Sequence, residues 1–273
     1  MSNREARTFD CGASRRMRPA SSAMRRAAGV AERLAMGVAA GVVAGVARSA
    51  LPQCCELCVA RTGGTLLCAA CTLDLQRVAS ACPVCALPSD FGAVCGACLT
   101  ERPPYKATLA ALVYTFPTDR LLQRIKYGGR LALADWAGAT LAIAVCADLG
   151  GRTFDERPDR IVALPLAESR QRERGFNQAR EIAVRVAQAT SLPLMAPLAR
   201  TSAGPPQAAL PWAERHRNVR GAFAVLGDVR GARIALVDDV MTTGATLAEA
   251  ARTLLHSGAS SVECWVVART LPP

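Results

Sequence analysis

Aromatic side chains are scarce in this 273-residue sequence, at 4% of the chain, and histidine occurs only twice. Single-stranded nucleic acid is commonly held by stacking its bases on exposed rings. Only Phe176, Trp212 and Phe223 stand near basic stretches, so a stacking platform has little to build on. His256 precedes Gly258 at the end of a helical stretch, a place that suits a helix-dipole cap better than catalysis, and no side chain stands out as a general base. Long apolar runs are missing too. The uncharged run Leu34 to Ala47 spans 14 residues of mostly Ala, Gly and Val between Arg33 and Arg48. That is too short and too weakly apolar to cross a bilayer, and the 33 residues before it are too many for a signal peptide. The sequence therefore predicts no transmembrane segment. Acidic residues are outnumbered, 22 against 33 basic ones, for a net charge of +11. Residues 1–50 hold much of that excess, with nine arginines against Glu5, Asp10 and Glu32, and are expected to be disordered or weakly helical. The remaining body is mildly basic, which suits polyphosphate, nucleic acid or an acidic membrane equally.

Cysteine, by contrast, is plentiful and ordered. Eight of the twelve form the C-x-x-C pairs Cys55/Cys58, Cys68/Cys71, Cys82/Cys85 and Cys95/Cys98, and the second two pairs repeat the first two at an offset of 27 residues. Leu57 and Val84 occupy matching positions inside the knuckles. Cys54 maps onto Ala81, which favours Cys55 as the metal ligand. Such a repeat is expected to form two zinc ribbons, because four thiolates around Zn²⁺ stabilise a segment with too few apolar residues to fold unaided. Either sequential sets of four or a cross-braced arrangement satisfies the spacing. A thioredoxin-like dithiol is disfavoured by four regularly repeated pairs, and a reducing, cytoplasmic setting is the simpler one for so many thiols.

After the Pro103-Pro104 linker the composition changes, dividing the chain into residues 1–50, a ribbon module over 51–104 and a larger domain over 105–273. Strand patterns at Thr108–Thr115, Arg160–Leu164, Arg233–Val237 and Ser261–Ala268 alternate with helical ones at Asp119–Lys126, Leu131–Leu149, Gln178–Ala189 and Leu247–His256. This alternation predicts an α/β fold with a mostly parallel sheet flanked by helices. Ligands bind such sheets beyond the carboxyl ends of the strands, so the segments after Leu164 and Val237 are the candidate site. The second reads Asp238, Asp239, Val240, Met241, Thr242, Thr243, Gly244, Ala245, Thr246, with Glu249 at capping-box spacing from Thr246. Small hydroxyl residues and a glycine before a helix let backbone N–H groups close around a phosphate. The first is read as a polar loop in which Arg170, Arg172 and Arg174 alternate, forked donors suited to pyrophosphate oxygens. A solvated or nucleic-acid-facing surface is the plainer reading of those arginines.

The nine-residue string from Asp238 resembles the ligand loop of type I phosphoribosyltransferases. Arg174-Gly175-Phe176-Asn177-Gln178 is similar to the R-G-F-N-Q hallmark of the ComF family, and the order of cysteine module, arginine segment and phosphate loop extends the resemblance from Cys55 to the C-terminus. The resemblance implies a type I phosphoribosyltransferase fold that binds 5-phosphoribosyl 1-pyrophosphate. Met241, Thr242, Thr243, Gly244, Ala245 and Thr246 would hold the 5-phosphate, while Asp238 and Asp239 would take the ribose hydroxyls and help order Mg²⁺. Lys126, in a K-Y-G-G stretch, would join Arg170, Arg172 and Arg174 at the pyrophosphate. Asp238, Asp239 and Arg174 are the candidates for catalytic work. It further implies a part in DNA uptake, with single-stranded DNA and a DNA-uptake helicase as partners. A non-catalytic binding module of that machinery is the alternative. Between Leu194 and Phe223, where an acceptor-binding hood is expected, Gln207, Trp212 and Arg217 form no diagnostic pattern.

Overall fold

The two halves of the cysteine repeat fold alike. In the first, strands β1 (Gln53–Cys54) and β2 (Arg61–Thr62) pair antiparallel, and helix α1 (Ala69–Leu73) follows Cys68. In the second, an Ala81–Pro88 bridge stands where Cys54 meets Arg61, and helix α2 (Gly96–Thr100) follows Cys95. Val59 and Ala86, each directly after a knuckle, share a positive φ of 62° and 57°. That turn lets their N–H groups reach back to the Cys55 and Cys82 carbonyls at 3.0 and 2.9 Å. This computed structural model describes residues 53–201 and 221–272. The expectations for residues 1–50, and those for Gln207, Trp212 and Arg217, lie outside them.

Strand β3 (Thr108–Val113) leads into helices α3 (Thr118–Gly128) and α4 (Leu131–Gly150). Strand β4 (Arg160–Ala163) is followed by helices α5 (Glu168–Arg174) and α6 (Gln178–Thr190) and by strand β5 (Leu194–Met195). Strands β6 (Leu198–Arg200) and β7 (Phe223–Val225) form a separate antiparallel pair. Strand β8 (Arg233–Met241), helix α7 (Ala245–His256) and strand β9 (Ser261–Arg269) close the chain. The main sheet is wholly parallel, in the order β3-β9-β8-β4-β5, as the alternation of patterns predicts.

Side chains of a strand alternate between the two faces of its sheet, and β8 and β9 use both. Ala235, Val237, Trp265 and Val267 pack with Leu121, Leu141 and Ile182 from the helices of one side, whereas Ile234, Leu236, Cys264 and Val266 pack with Leu247 and Leu254 on the other. Each ribbon is sealed into a different side. Cys55, Leu67, Cys71 and Leu75 join the first core, and Cys82, Val84, Cys85 and Cys98 the second. Helix α4 has the length and hydropathy of a membrane-crossing helix, but its Leu133, Ala137, Leu141 and Val145 are fully buried in the first core.

Candidate functional site

Strand β8 continues past Val237, where the sequence predicts its end. Asp238, Val240 and Met241 keep register with Val266, Ala268 and Arg269 of β9, so the acid pair is a strand terminus and not part of a loop. The turn that follows is tight. Gly244 caps helix α7 with a φ of 83°, and a Cβ there would lie 2.7 Å from Met241 Cε and 3.0 Å from Tyr105 Oη. Only glycine meets both demands without strain. Thr243 Oγ1 accepts from the Ala245 N–H at 3.3 Å. The capping box is absent: the helix begins at Ala245, and Glu249, 8% exposed, accepts from the Gly221 N–H at 2.8 Å and pairs with Arg252. Tertiary packing turns that carboxylate away from the helix start.

The arginine segment is helical, not a loop. A helix brings residues four apart onto one face, so Arg170 and Arg174 share a face and Arg172 falls elsewhere. Arg172 is exposed and pairs with Glu168 at 2.9 Å. Gly175, with φ 75°, ends α5. Phe176 packs against the first core. Asn177 then accepts from the Ala179 and Arg180 N–H groups to cap α6, and its Nδ2 donates to the Leu164 carbonyl at 3.0 Å. The R-G-F-N-Q string thus pins the arginine helix to the end of β4 and leaves Arg174 and Gln178 facing one space.

That space is a cavity of about 370 Å³ beyond the carboxyl ends of β4 and β8. Asp238, Asp239, Met241, Thr242, Gly244 and Thr246 line it, as do Lys126, Arg170 and Arg174. Thr243 and Ala245 belong to the same turn but not to the lining, and Arg172 stands outside. Tyr114, Gln123, Tyr127, Gln178 and Arg200 also line it and were not expected. Tyr127 and Gln178 sit inside the two short motifs that flag the site, whereas Arg200 on β6 follows no motif.

The charges of the cavity are interlocked. Burial alone would raise both carboxyls, but Lys126 Nζ lies 2.8 Å from Asp239 Oδ2 and the Val240 N–H donates to Asp239 Oδ1 at 2.9 Å, holding Asp239 below the usual carboxylate range. Burial and the neighbouring Asp239 charge push Asp238 well above it. Burial works against the Lys126 ammonium, and the Asp239 carboxylate outweighs it, so the amine is raised. Arg200 is lowered by burial and by the charge of Arg170, which marks two guanidinium groups converging on one space. Arg174 stacks over the Tyr127 ring at 5.6 Å, and its Nε and Nη1 have no hydrogen-bond partner among the described residues. Gln178 Oε1, in a residue only 4% exposed, is in the same state. Buried polar groups are normally satisfied, so these atoms are suited to a polar ligand.

The cysteines assemble as sequential sets, Cys55/Cys58/Cys68/Cys71 and Cys82/Cys85/Cys95/Cys98, with all sulfurs of a set within 4.8 Å of one another. Zn–S bonds of about 2.3 Å in a tetrahedron require S···S edges of about 3.8 Å. Cys58–Cys68 and Cys85–Cys95 lie at 3.6 Å, so the residues fit zinc. Backbone donors support thiolates: Leu57 N–H faces Cys55 Sγ at 3.5 Å and Cys95 N–H faces Cys82 Sγ at 3.4 Å. Burial opposes ionisation of Cys55 and Cys82, yet such donors win and lower both to about 6. Hydrogen bonding from Cys58 is foremost in raising Cys71, and burial in raising Cys98. Four thiols at this spacing resist full ionisation unless a cation sits among them. Cys54 is exposed and outside both sets.

A model of the phosphoribosyl transferase domain matches residues 160–271. DNA utilization protein YhgH of Escherichia coli O157:H7 is 32% identical over 227 residues, which are 81% of this chain and 99% of that protein. Competence protein ComFC of Bacillus subtilis is 30% identical over 215 residues, 75% of this chain and 84% of that protein. Competence protein F of Haemophilus influenzae is 30% identical over 182 residues, 64% and 78% of the respective chains. Identity of 30–32% over 78–99% of the length of such relatives makes this chain a member of the ComF family.

Proposed function

We propose that the cavity binds 5-phosphoribosyl 1-pyrophosphate together with Mg²⁺ and that the chain is a phosphoribosyltransferase serving DNA uptake. The observation that carries this reading is the convergence, around one cavity, of a phosphate-type turn at a helix N-terminus, an acid pair and the Arg174 guanidinium nitrogens that have no hydrogen-bond partner among the described residues. The 5-phosphate would meet the backbone N–H groups of the Thr242–Thr246 turn. Asp238 and Asp239 would accept hydrogen bonds from the ribose 2- and 3-hydroxyls. Their oxygens are also the hard donors that suit Mg²⁺, which when bound would neutralise charge on the pyrophosphate. Arg170, Arg174 and Lys126 would hold that leaving group, with Lys126 exchanging Asp239 for pyrophosphate oxygens. In the transfer the C1–O bond to pyrophosphate breaks, its electron pair leaves with the pyrophosphate, and a bond from C1 to the acceptor's nucleophilic atom forms. Electrostatics and positioning supply the rate.

Calorimetry with Mg²⁺ and phosphoribosyl pyrophosphate, using ribose 5-phosphate as a control without pyrophosphate, tests the reading. Binding of the first more tightly than the second is expected, and no binding of either at millimolar concentration would overturn it. The names of the relatives, DNA utilization protein and competence protein, support a DNA-uptake role; in this reading single-stranded DNA and a DNA-uptake helicase are the partners, in the cytoplasm. Contact with DNA should be electrostatic. Its affinity should fall steeply as salt rises from 50 to 200 mM, about 300-fold for six contacts to a single strand; affinity indifferent to salt would exclude a basic groove.

A further inference from the structure

The second ribbon is tied to the phosphate turn by one buried cation. Arg269, at the end of β9, is 3% exposed. Its Nε donates to the carbonyl of Cys85, a member of the second cysteine set, at 2.8 Å. Its Nη1 donates to the carbonyls of Met241 at 2.9 Å and of Thr242, the first two residues of the phosphate turn, and of Thr270 at 2.9 Å. Tyr105, 4% exposed and just past the ribbon, adds a second contact, because its Oη closes the space beneath Gly244. No carboxylate pairs with Arg269 among the described residues. A buried charge without a counter-charge is costly. The formal charge of Zn²⁺ with four thiolates is negative, which makes the loaded second ribbon the counter-ion at hand.

Resting on the ligand reading above, we propose that Arg269 is a positioning residue that couples the second ribbon to the phosphate turn, so that metal in that ribbon and a 5-phosphate ligand strengthen each other's binding. Such coupling is reciprocal by thermodynamic necessity. The fork geometry matters as well as the charge: lysine keeps the charge but cannot span the Cys85, Met241 and Thr242 carbonyls together.

The experiment follows release of the two zinc ions to a colorimetric chelator from the zinc-loaded full chain, with and without saturating Mg²⁺ and phosphoribosyl pyrophosphate, and measures the ligand's Kd by calorimetry. In the wild type the ligand is expected to slow release of one ion about tenfold and leave the other unchanged. Arg269→Lys should weaken the ligand by a similar factor and abolish the protection while still holding two ions at the start. Arg269→Met should do the same more severely, and if it fails to fold, the lysine variant decides. A wild-type Kd in Arg269→Lys, or ligand protection that persists in that variant, overturns the coupling while leaving the ligand reading intact. A wild-type chain that binds no ligand overturns both.

Discussion

Lys126→Met is the most discriminating change to the cavity, because it strands Asp239 without removing any of the turn. The pair is 2.8 Å long, with side chains 21% and 6% exposed. At an effective dielectric near 20 its gross attraction is about 6 kcal/mol. Most of that offsets desolvation, and removing one partner of such a pair typically costs about 3 kcal/mol, or roughly 150-fold in the folding equilibrium. The pH dependence carries the sign. In the wild type Asp239 is depressed, so its stabilisation is present above the unfolded carboxyl value near 3.9 and is lost as pH falls through the lower folded value. In the variant the folded carboxyl should rise above 3.9, so its penalty grows with pH. Protonation caps that penalty at about 1.36 kcal/mol per pH unit above 3.9, which is about 4 kcal/mol at pH 7 but only about 1.5 at pH 5. Urea unfolding at both pH values, repeated in an Asp239→Asn background so that acid effects on the thiolates cancel, measures the difference. Lys126→Met should cost about 3 kcal/mol at pH 7, less at pH 5 because only the stranded-charge part shrinks with acid while the lost wild-type stabilisation stays, and under 1 kcal/mol once Asp239→Asn has removed the stranded charge. An equal cost in both backgrounds, or one indifferent to pH, would refute the account of the pair.

Metal analysis should give two zinc ions per chain, one after Cys98→Ser and still two after Cys54→Ser; stable metal-free protein with eight titratable ribbon thiols would refute the ribbons. Arg174→Ala should weaken phosphoribosyl pyrophosphate by tenfold or more, as loss of charge-assisted hydrogen bonds costs about 1.5–3 kcal/mol, whereas Arg172→Ala should stay within twofold. Equal losses in a calorimetric comparison would remove the helix-face assignment. Gly244→Val combines a left-handed backbone, worth about 1–2 kcal/mol, with contacts at 2.7 and 3.0 Å. It should lower Tm and abolish ribose 5-phosphate binding, while Asp239→Asn should weaken the Mg²⁺-dependent ligand and keep the turn; a valine variant that binds the phosphate normally would dismiss the close approach.

Much of this was legible in local patterns. The 27-residue offset picks out the eight ligand cysteines and favours Cys55 over Cys54, because a duplicated ribbon preserves ligand positions, whereas the choice of sequential over cross-braced sets came from the structure. Period-two and helical patterns locate the four longer strands and most long helices. Failures occurred where distant contacts decide. Nothing in the sequence near Val237 says that β8 keeps pairing through Asp238, since the partner is Val266 on β9. Alternate arginines resemble a loop array until helical geometry turns Arg172 away. Glu249 satisfies a capping pattern but is claimed by Gly221. Arg269 reads as an unremarkable strand end, and its partners at Cys85, Met241 and Thr242 are up to 184 residues away.

The pairing of the first long strand with the last has a consequence for how the chain is made. β3 lies at the sheet edge against β9, and β9 carries Arg269. Each cysteine set is local, spanning Cys55 to Cys71 or Cys82 to Cys98, and can close on metal as soon as it leaves the ribosome. Its seat cannot. The surfaces that cover the ribbons are completed only when residue 269 is made, which at about 5–20 residues per second is roughly ten to thirty seconds later. During that interval the apolar backs of the ribbons are exposed to chaperones and to other nascent chains. Starting synthesis at Tyr105 would reverse the problem and leave the finished sheet with uncovered apolar ground on both faces.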